Sequence, residues 1–419
     1  MAHLAHVIWR ASRHKGLWPW LACMAVAALV IGCGGGGTST AGNGVGVGGT
    51  GAAAGPVSGY GSVIVNDVRF DFSRATFTTE DAADGDDDES LGQSLAAAAR
   101  PVEFGTMLSI TSGDISNDGS YNLAQASRIV LISAIRGPIE AKSVINNTLT
   151  VLGQQVDVDA GTWYEANHAL AQLSPGDKVV VYGDYNPVTG HYKATRVEYR
   201  SILPIHKVRG AVSALSGNTF MLGTLKVNFA GARGNNQNLQ NGKLVRVRIL
   251  ASTPLVSGAY AAQVVSLIAP GLSNGAQTRL AGVATGVTGG ALEINGTPVD
   301  FSHATVTGGA PSDDGRLEVE GTIQDGVLVA TKVTVKPQTD VELSKVRLIG
   351  PVDAPVNNGT SGNFKLKGDV TVNWDTSTQF DNGVTSSTLT LGLQVDVEGN
   401  RSTTSQTAIT ATRVRLASH

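Results

Sequence analysis

From residue 59 onward, apolar and polar residues alternate in short runs, and glycine or asparagine separates the runs. Thr148-Leu-Thr-Val-Leu152, Gln155-Val-Asp-Val158 and Lys226-Val-Asn-Phe229 are examples. A period of two marks half-buried strands, and Gly-rich breaks between them mark turns. The runs also recur. Ala126-Ser-Arg-Ile-Val-Leu131, Ala194-Thr-Arg-Val-Glu-Tyr199, Ala261-Ala-Gln-Val-Val-Ser266, Ala330-Thr-Lys-Val-Thr-Val335 and Ala411-Thr-Arg-Val-Arg-Leu416 share one start and one alternation. They are spaced by about 70 residues, the mark of a repeated unit.

Ahead of each lies the same series. An opening strand follows a glycine: Gly61-Ser-Val-Ile-Val65, Gly137-Pro-Ile-Glu140, Gly210-Ala-Val-Ser213, Gly282-Val-Ala-Thr285 and Gly350-Pro-Val-Asp353. A second and third strand come next, then a variable connection. The fourth strand then begins at a turn, as in Gly176-Asp-Lys-Val-Val-Val-Tyr182 and Gly392-Leu-Gln-Val-Asp-Val397. In the first unit the connection predicts a short helix over 89–99. Five strands with a loop or helix after the third is the plan of an OB-type barrel, and closure removes exposed sheet edges. The expectation is an all-β chain with five small OB-like five-stranded barrels in tandem. They occupy 59–133, 134–205, 206–272, 273–340 and 341–419; five open meanders stacked as one sheet are the alternative. The composition agrees: 52 glycines, 42% hydrophobic and 16% charged residues suit β units with many turns and exclude a coiled coil.

The start of the chain is different. Arg10, Arg13 and Lys15 precede an apolar stretch from Leu17 to Gly32, which closes on Val30-Ile31-Gly32-Cys33. This resembles the lipobox of bacterial lipoprotein signal peptides. The resemblance implies removal of 1–32, lipidation of the Cys33 thiol and attachment to a membrane through that lipid. Gly34 after the cysteine, where Asp would retain the protein inside, implies the outer membrane of a bacterial cell envelope, on the periplasmic or the surface face. Residues 33–58 then form the lipidated cysteine and a Gly-rich linker. Cys23 leaves with the leader, so no disulfide can form. A formal GxGxxG match at Gly44, Gly46 and Gly49 has neither a strand before it nor a helix after it, which excludes a dinucleotide site.

The repeat itself carries a second resemblance. A Gly-led opening strand, Leu152-Gly-Gln-Gln-Val-Asp-Val158, Ser174-Pro-Gly-Asp-Lys-Val-Val-Val181 and a closing Ala-Thr-Arg-Val are similar to a family of repeated small β domains of unknown function found in proteobacterial envelope lipoproteins. The resemblance runs from Gly59 to Leu416, closest in the second unit and weakest in the third and fifth. It implies a fold and an address, and no activity.

The formal net charge of −3 hides an uneven distribution. Residues 59–133 hold twelve acids and four bases, and seven of the acids lie between Glu80 and Glu89. Residues 201–292 hold eight bases and no acid. The acidic run has three readings: a solvated loop tip, a divalent-cation site, or a segment that docks on the basic third unit of the same or a neighbouring chain. For the second, Asp84, Asp86, Asp88 and Glu89 are the candidate calcium ligands, although Glu89 stands where the EF-hand pattern needs glycine. No other cofactor is expected.

The basic unit offers Lys207, Arg209, Lys243, Arg246 and Arg248 as candidate contacts for a polyanion. Arg246 and Arg248 share a face, and a stripe forms if their strand lies beside that of Lys207 and Arg209. The expected partners are an anionic glycan, lipopolysaccharide or an envelope protein. Nucleic acid is disfavoured, because stacking aromatics in 201–292 are limited to Phe220, Phe229 and Tyr260.

No GxSxG, HExxH or Walker motif occurs, so no catalytic residue is assigned. His168, His191, His206, His303 and His419 lack ligand spacing and read as surface histidines. Trp163 and Trp374 read as core. Asp157 and Asp159 are too common a spacing to assign a glycosidase pair. The functional expectation is a lipid-anchored, non-enzymatic envelope protein with a binding, adhesion or spacer role. A metal-dependent binder or an enzyme with a site between repeats is the alternative.

Overall fold

The computed structural model describes residues 51–60, 63–81, 102–117, 122–165, 167–268, 272–339, 344–366, 370–402 and 408–417. Among them there are strands and turns and no helix. Cys33, the glycines of the GxGxxG match and the helix expected over 89–99 lie outside the described residues.

The second unit gives the pattern most plainly. Its first strand, Ile135–Ser143, pairs antiparallel with the second, Thr148–Val151. The second pairs with the third, Gln154–Asp157. The third runs parallel to the fifth, Tyr192–Arg200. The fifth pairs antiparallel with the fourth, Lys178–Tyr185, which returns to the first and closes the circuit. Trp163–Tyr164, in the connection before the fourth strand, adds a short parallel pairing to the fifth. The fourth unit closes the same way over 277–336 and the fifth over 345–416. The third unit, 205–267, and the first, 51–131, use interrupted strands in the same order. The chain is a tandem set of OB-like barrels, numbered 1 to 5 below.

The alternation puts the apolar side chains inside. In Thr148–Val151, Leu149 and Val151 are buried and the threonines half-buried, and Val156 follows on the next strand. Two local devices repeat. At the end of the third strand an Asp or Asn side chain accepts the backbone N–H two residues on: Asp71 from Ser73, Asp159 from Gly161, Asn228 from Ala230, Asp300 from Ser302 and Asp375 from Ser377, all at 2.8–3.0 Å. In barrels 2, 4 and 5 a bulge with glycine bends the fourth strand against the fifth, at Gly183, Gly321 and Gly399. A Cβ at these glycines would run into the carbonyl oxygens of Lys193, Val329 and Thr410 respectively.

Barrel 1 begins earlier than its alternation predicts. Gly51–Pro56, inside the stretch expected to be linker, is its first strand. It pairs antiparallel with Met107–Ser112 of its own barrel and parallel with Gln277–Thr288 of barrel 4. Val63–Val65, expected to open the unit, is the second strand. The sequence Gly-Ala-Ala-Ala-Gly-Pro looks like a spacer because it lacks β-branched residues. Its small side chains suit a strand inserted between two others: Ala53 is buried, and a Cβ at Gly55 would meet Asn66 and Ala281.

The barrels are consecutive in sequence and also cross-linked. Gly59 of barrel 1 pairs with Arg347 of barrel 5. Barrels 2 and 3 pair through Ile135–Val208 and Arg136–Lys207. One hydrophobic core runs through both, from Ile135, Leu149 and Tyr192 to Leu222, Leu225 and Val247. At this seam Gln154 Nε2 donates to the carbonyls of Leu152 at 2.9 Å and Leu222 at 2.7 Å.

Candidate functional site

On Ile205–Ala211 of barrel 3 the alternation sends Val208 into the core and Lys207 and Arg209 to the outer face. Lys207 lies opposite Arg248 and Arg209 opposite Arg246, so the two strands do lie side by side. On its other edge Lys207 faces Arg136 of barrel 2. Directly opposed residues share a face, which gives a row of Arg136, Lys207 and Arg248 with Arg209 and Arg246 beside it. Like charges at this spacing repel.

Barrel 1 meets the row with acids. Glu80 and Asp81 follow its strand Thr76–Thr79. Lys207 Nζ donates to Glu80 Oε1, to Asp81 Oδ2 at 3.1 Å and to Ser133 Oγ at 3.1 Å. Arg246 Nε lies 3.2 Å from Asp81 Oδ1, its Nη1 donates to the Glu80 carbonyl at 2.5 Å, and Arg209 Nε lies 3.6 Å from Glu80 Oε2. The Lys207 side chain is 1% exposed and that of Asp81 2%. Burial pushes the Asp81 carboxyl up, but Lys207, Arg246 and Arg248 together outweigh it and hold the group below its ordinary range. Three of the five candidate polyanion contacts are therefore held by the chain's own carboxylates. Arg248 is buried beside them and Lys243 is exposed at a turn. Asp84, Asp86, Asp88 and Glu89 lie outside the described residues, and no cluster of three or more metal-ligating side chains occurs among the described residues.

A cavity of about 550 Å³ opens between barrels 1, 2, 4 and 5. Its charged wall contains Asp67, Asp184, Glu318 and Glu398 against Arg316, Lys336, Lys345 and Arg347. Neighbouring strands hold most of these in place. Lys336 Nζ lies 2.8 Å from Glu318 Oε2, Arg316 Nη2 lies 3.2 Å from Asp159, and Arg347 forks onto Asp396 at 2.7 and 2.9 Å. Asp184 accepts from Asn295 Nδ2 at 2.7 Å, across barrels 2 and 4. Burial raises the Asp184 carboxyl; burial and then Asp67 raise that of Glu318, against Lys336. Trp163 lines the cavity, stacked on Phe104 of barrel 1 at 4.5 Å, with the Arg401 guanidinium of barrel 5 at 4.4 Å from its ring centre. Arg401 Nη1 also donates to the Thr162 carbonyl at 2.7 Å. With its ring held this way, the indole joins three barrels and is no free platform for stacking a ligand. The cavity offers donors and acceptors of both signs.

A family model described as Domain of unknown function (DUF5666) matches residues 136–198, 281–334 and 349–415. Three barrels match one family. They are barrels 2, 4 and 5, so the fifth unit, expected to depart from the pattern, matches it, while the first and third lie outside the matches. No curated protein matches the chain. A solved structure titled "drosophila Unr CSD456" aligns over 50% of this chain and 96% of its own at 16% identity, with a TM-score of 0.14. That likeness is too slight to bear on fold or function. The DUF5666 segments supply Asp184, Arg316, Glu318 and Glu398 to the cavity, whereas Lys207, Arg209, Arg246 and Arg248 lie outside them.

Other sequence candidates separate. His191 Nδ1 sits 3.0 Å from Asp157, Asp159 turns to Arg316 instead, and His168 stacks on Tyr199. His206, expected at the surface, is buried, and burial followed by Lys178 lowers its pKa. Trp374 packs in the core of barrel 5. Phe104 and Arg401, which complete the Trp163 stack, carry no sequence signal, because the three residues meet only through the packing of separate barrels.

Proposed function

We propose that the chain is a lipid-anchored, non-enzymatic binding protein of the bacterial cell envelope, attached through Cys33 to the outer membrane. Its barrels form one body around a ligand cavity rather than a string of spacers. The observation that carries this reading is the cavity of about 550 Å³ lined by four barrels, a size within the roughly 300–1,000 Å³ of small-molecule sites. Four acids and four bases in its wall favour a small uncharged or zwitterionic solute over a polyanion. An anionic glycan or lipopolysaccharide is not assigned to the basic stripe, because Glu80 and Asp81 already engage it.

Two measurements test the proposal. Labelled fatty acid should be incorporated into the protein and lost in Cys33→Ser. Native mass spectrometry of protein taken from envelopes should detect a bound small molecule that Arg316→Ala releases. A chain without lipid, or one that carries the same adduct in Arg316→Ala, would refute the corresponding part.

A further inference from the structure

His206 is the second residue of the strand Ile205–Ala211, beside the core that barrels 2 and 3 share. It lies directly opposite Ile249, a member of that core, and alternation puts it on the same face as Val208. The residue is 9% exposed, and its Nδ1 is buried with no hydrogen-bond partner among the described residues. A neutral imidazole tolerates this better than a charged one, because in the cation both ring nitrogens are donors.

The surroundings offer nothing to balance a charge there. Lys207 and Arg209 on its own strand, Arg246 and Arg248 on the partner strand and Arg136 of barrel 2 lie on the other face. The connection 201–204 holds no charged residue. Lys178, at the start of the fourth strand of barrel 2, is the charged group that acts on the ring, and its Nζ donates to the Ser201 carbonyl at 3.2 Å. No carboxylate among the described residues pairs with the imidazole. Burial and then this ammonium favour the neutral ring. A proton on His206 would add a desolvated charge and an N–H without an acceptor. Its strand also carries Lys207, which engages Glu80 and Asp81 of barrel 1 and lies opposite Arg136 of barrel 2.

We propose that His206 is an acid-sensitive joint: protonation of its ring loosens the strand Ile205–Ala211 and with it the hold of barrel 3 on barrels 1 and 2. The device is independent of the large cavity and of the lipid. Its sign follows from linkage. The unfolded chain takes up the proton first, so stability is lost as pH falls below the ordinary 6.5, and the loss levels off below the lowered value in the fold.

The test is hydrogen exchange of the full chain at about pH 7.5 and about pH 5, read by mass spectrometry as protection factors. Protection of the amides in 205–211 should fall about tenfold at the lower pH. His206→Gln, which carries no charge at either pH, should show no such fall. His206→Phe, which fills the space of the ring, is the second variant, with near-ultraviolet circular dichroism confirming the fold of each. His191→Gln, at a histidine that meets Asp157 instead, should behave as the parent. Equal protection of 205–211 at the two pH values in the parent, or the same fall in His206→Gln and His206→Phe, would overturn the proposal.

Discussion

Asp81 turns one carboxylate oxygen to Lys207 and the other to Arg246, joining barrel 1 to barrel 3 through groups that water hardly reaches. Removing one member of a buried pair leaves the other charged without compensation, at a cost of about 3–5 kcal/mol. Asp81→Asn should therefore lower stability by about that amount in urea denaturation at pH 7. The sign with pH follows from the lowered pKa. The carboxyl stabilises the fold fully above its ordinary value of 3.8 and loses that contribution as pH falls through the lowered value. The difference between parent and variant should vanish at that acid limit; an equal difference at pH 7 and at pH 2 would contradict the assignment. An acidic run and a basic unit are both plain in the sequence, and docking between them is one of its readings. Burial is not legible there. Glu80 and Lys207 are 127 positions apart, and alternation within either strand says nothing about which outer face another barrel covers.

Each element depends on a few positions where the backbone comes close to itself. Gly321 sits at the bulge of barrel 4, where a methyl group would be driven into the Val329 carbonyl. Gly321→Ala should cost about 1–3 kcal/mol, the range for overpacking, whereas Gly326→Ala, at an open turn with a positive φ of 82°, acts through backbone strain alone. Comparing the urea midpoints of the two variants separates steric from conformational cost; a larger loss at Gly326 would contradict the close-approach argument. At this scale the sequence is most informative. Alternation in Thr148–Val151 and the shared Ala-Thr-Arg-Val endings place the second and fifth strands directly. Gly51–Pro56 escapes because its burial comes from two neighbouring strands, one of them more than 200 residues downstream, and its own side chains carry no apolar pattern.

At the scale of the molecule, the shared core of barrels 2 and 3 makes them one folding unit rather than two. A fragment of residues 134–268 should unfold in a single cooperative urea transition, and one of 134–204, with Leu152 and Gln154 stripped of Leu222 and Leu225, should show a lower midpoint. Two separable transitions in the longer fragment would refute this. Five repeats are legible from the period alone, whereas cross-links such as Gly59–Arg347 and the Trp163 stack depend on how the barrels pack, which a repeat count does not encode. The inserted strand Gly51–Pro56 has a mechanical consequence. Tension arriving from the upstream chain would run along its axis, with a hydrogen-bonded strand on each side. Those bonds would be loaded in shear and would have to yield together instead of peeling apart singly. A pull on that strand would thus pass into barrels 1 and 4 at once, and drawing it out would mean breaking both rows together.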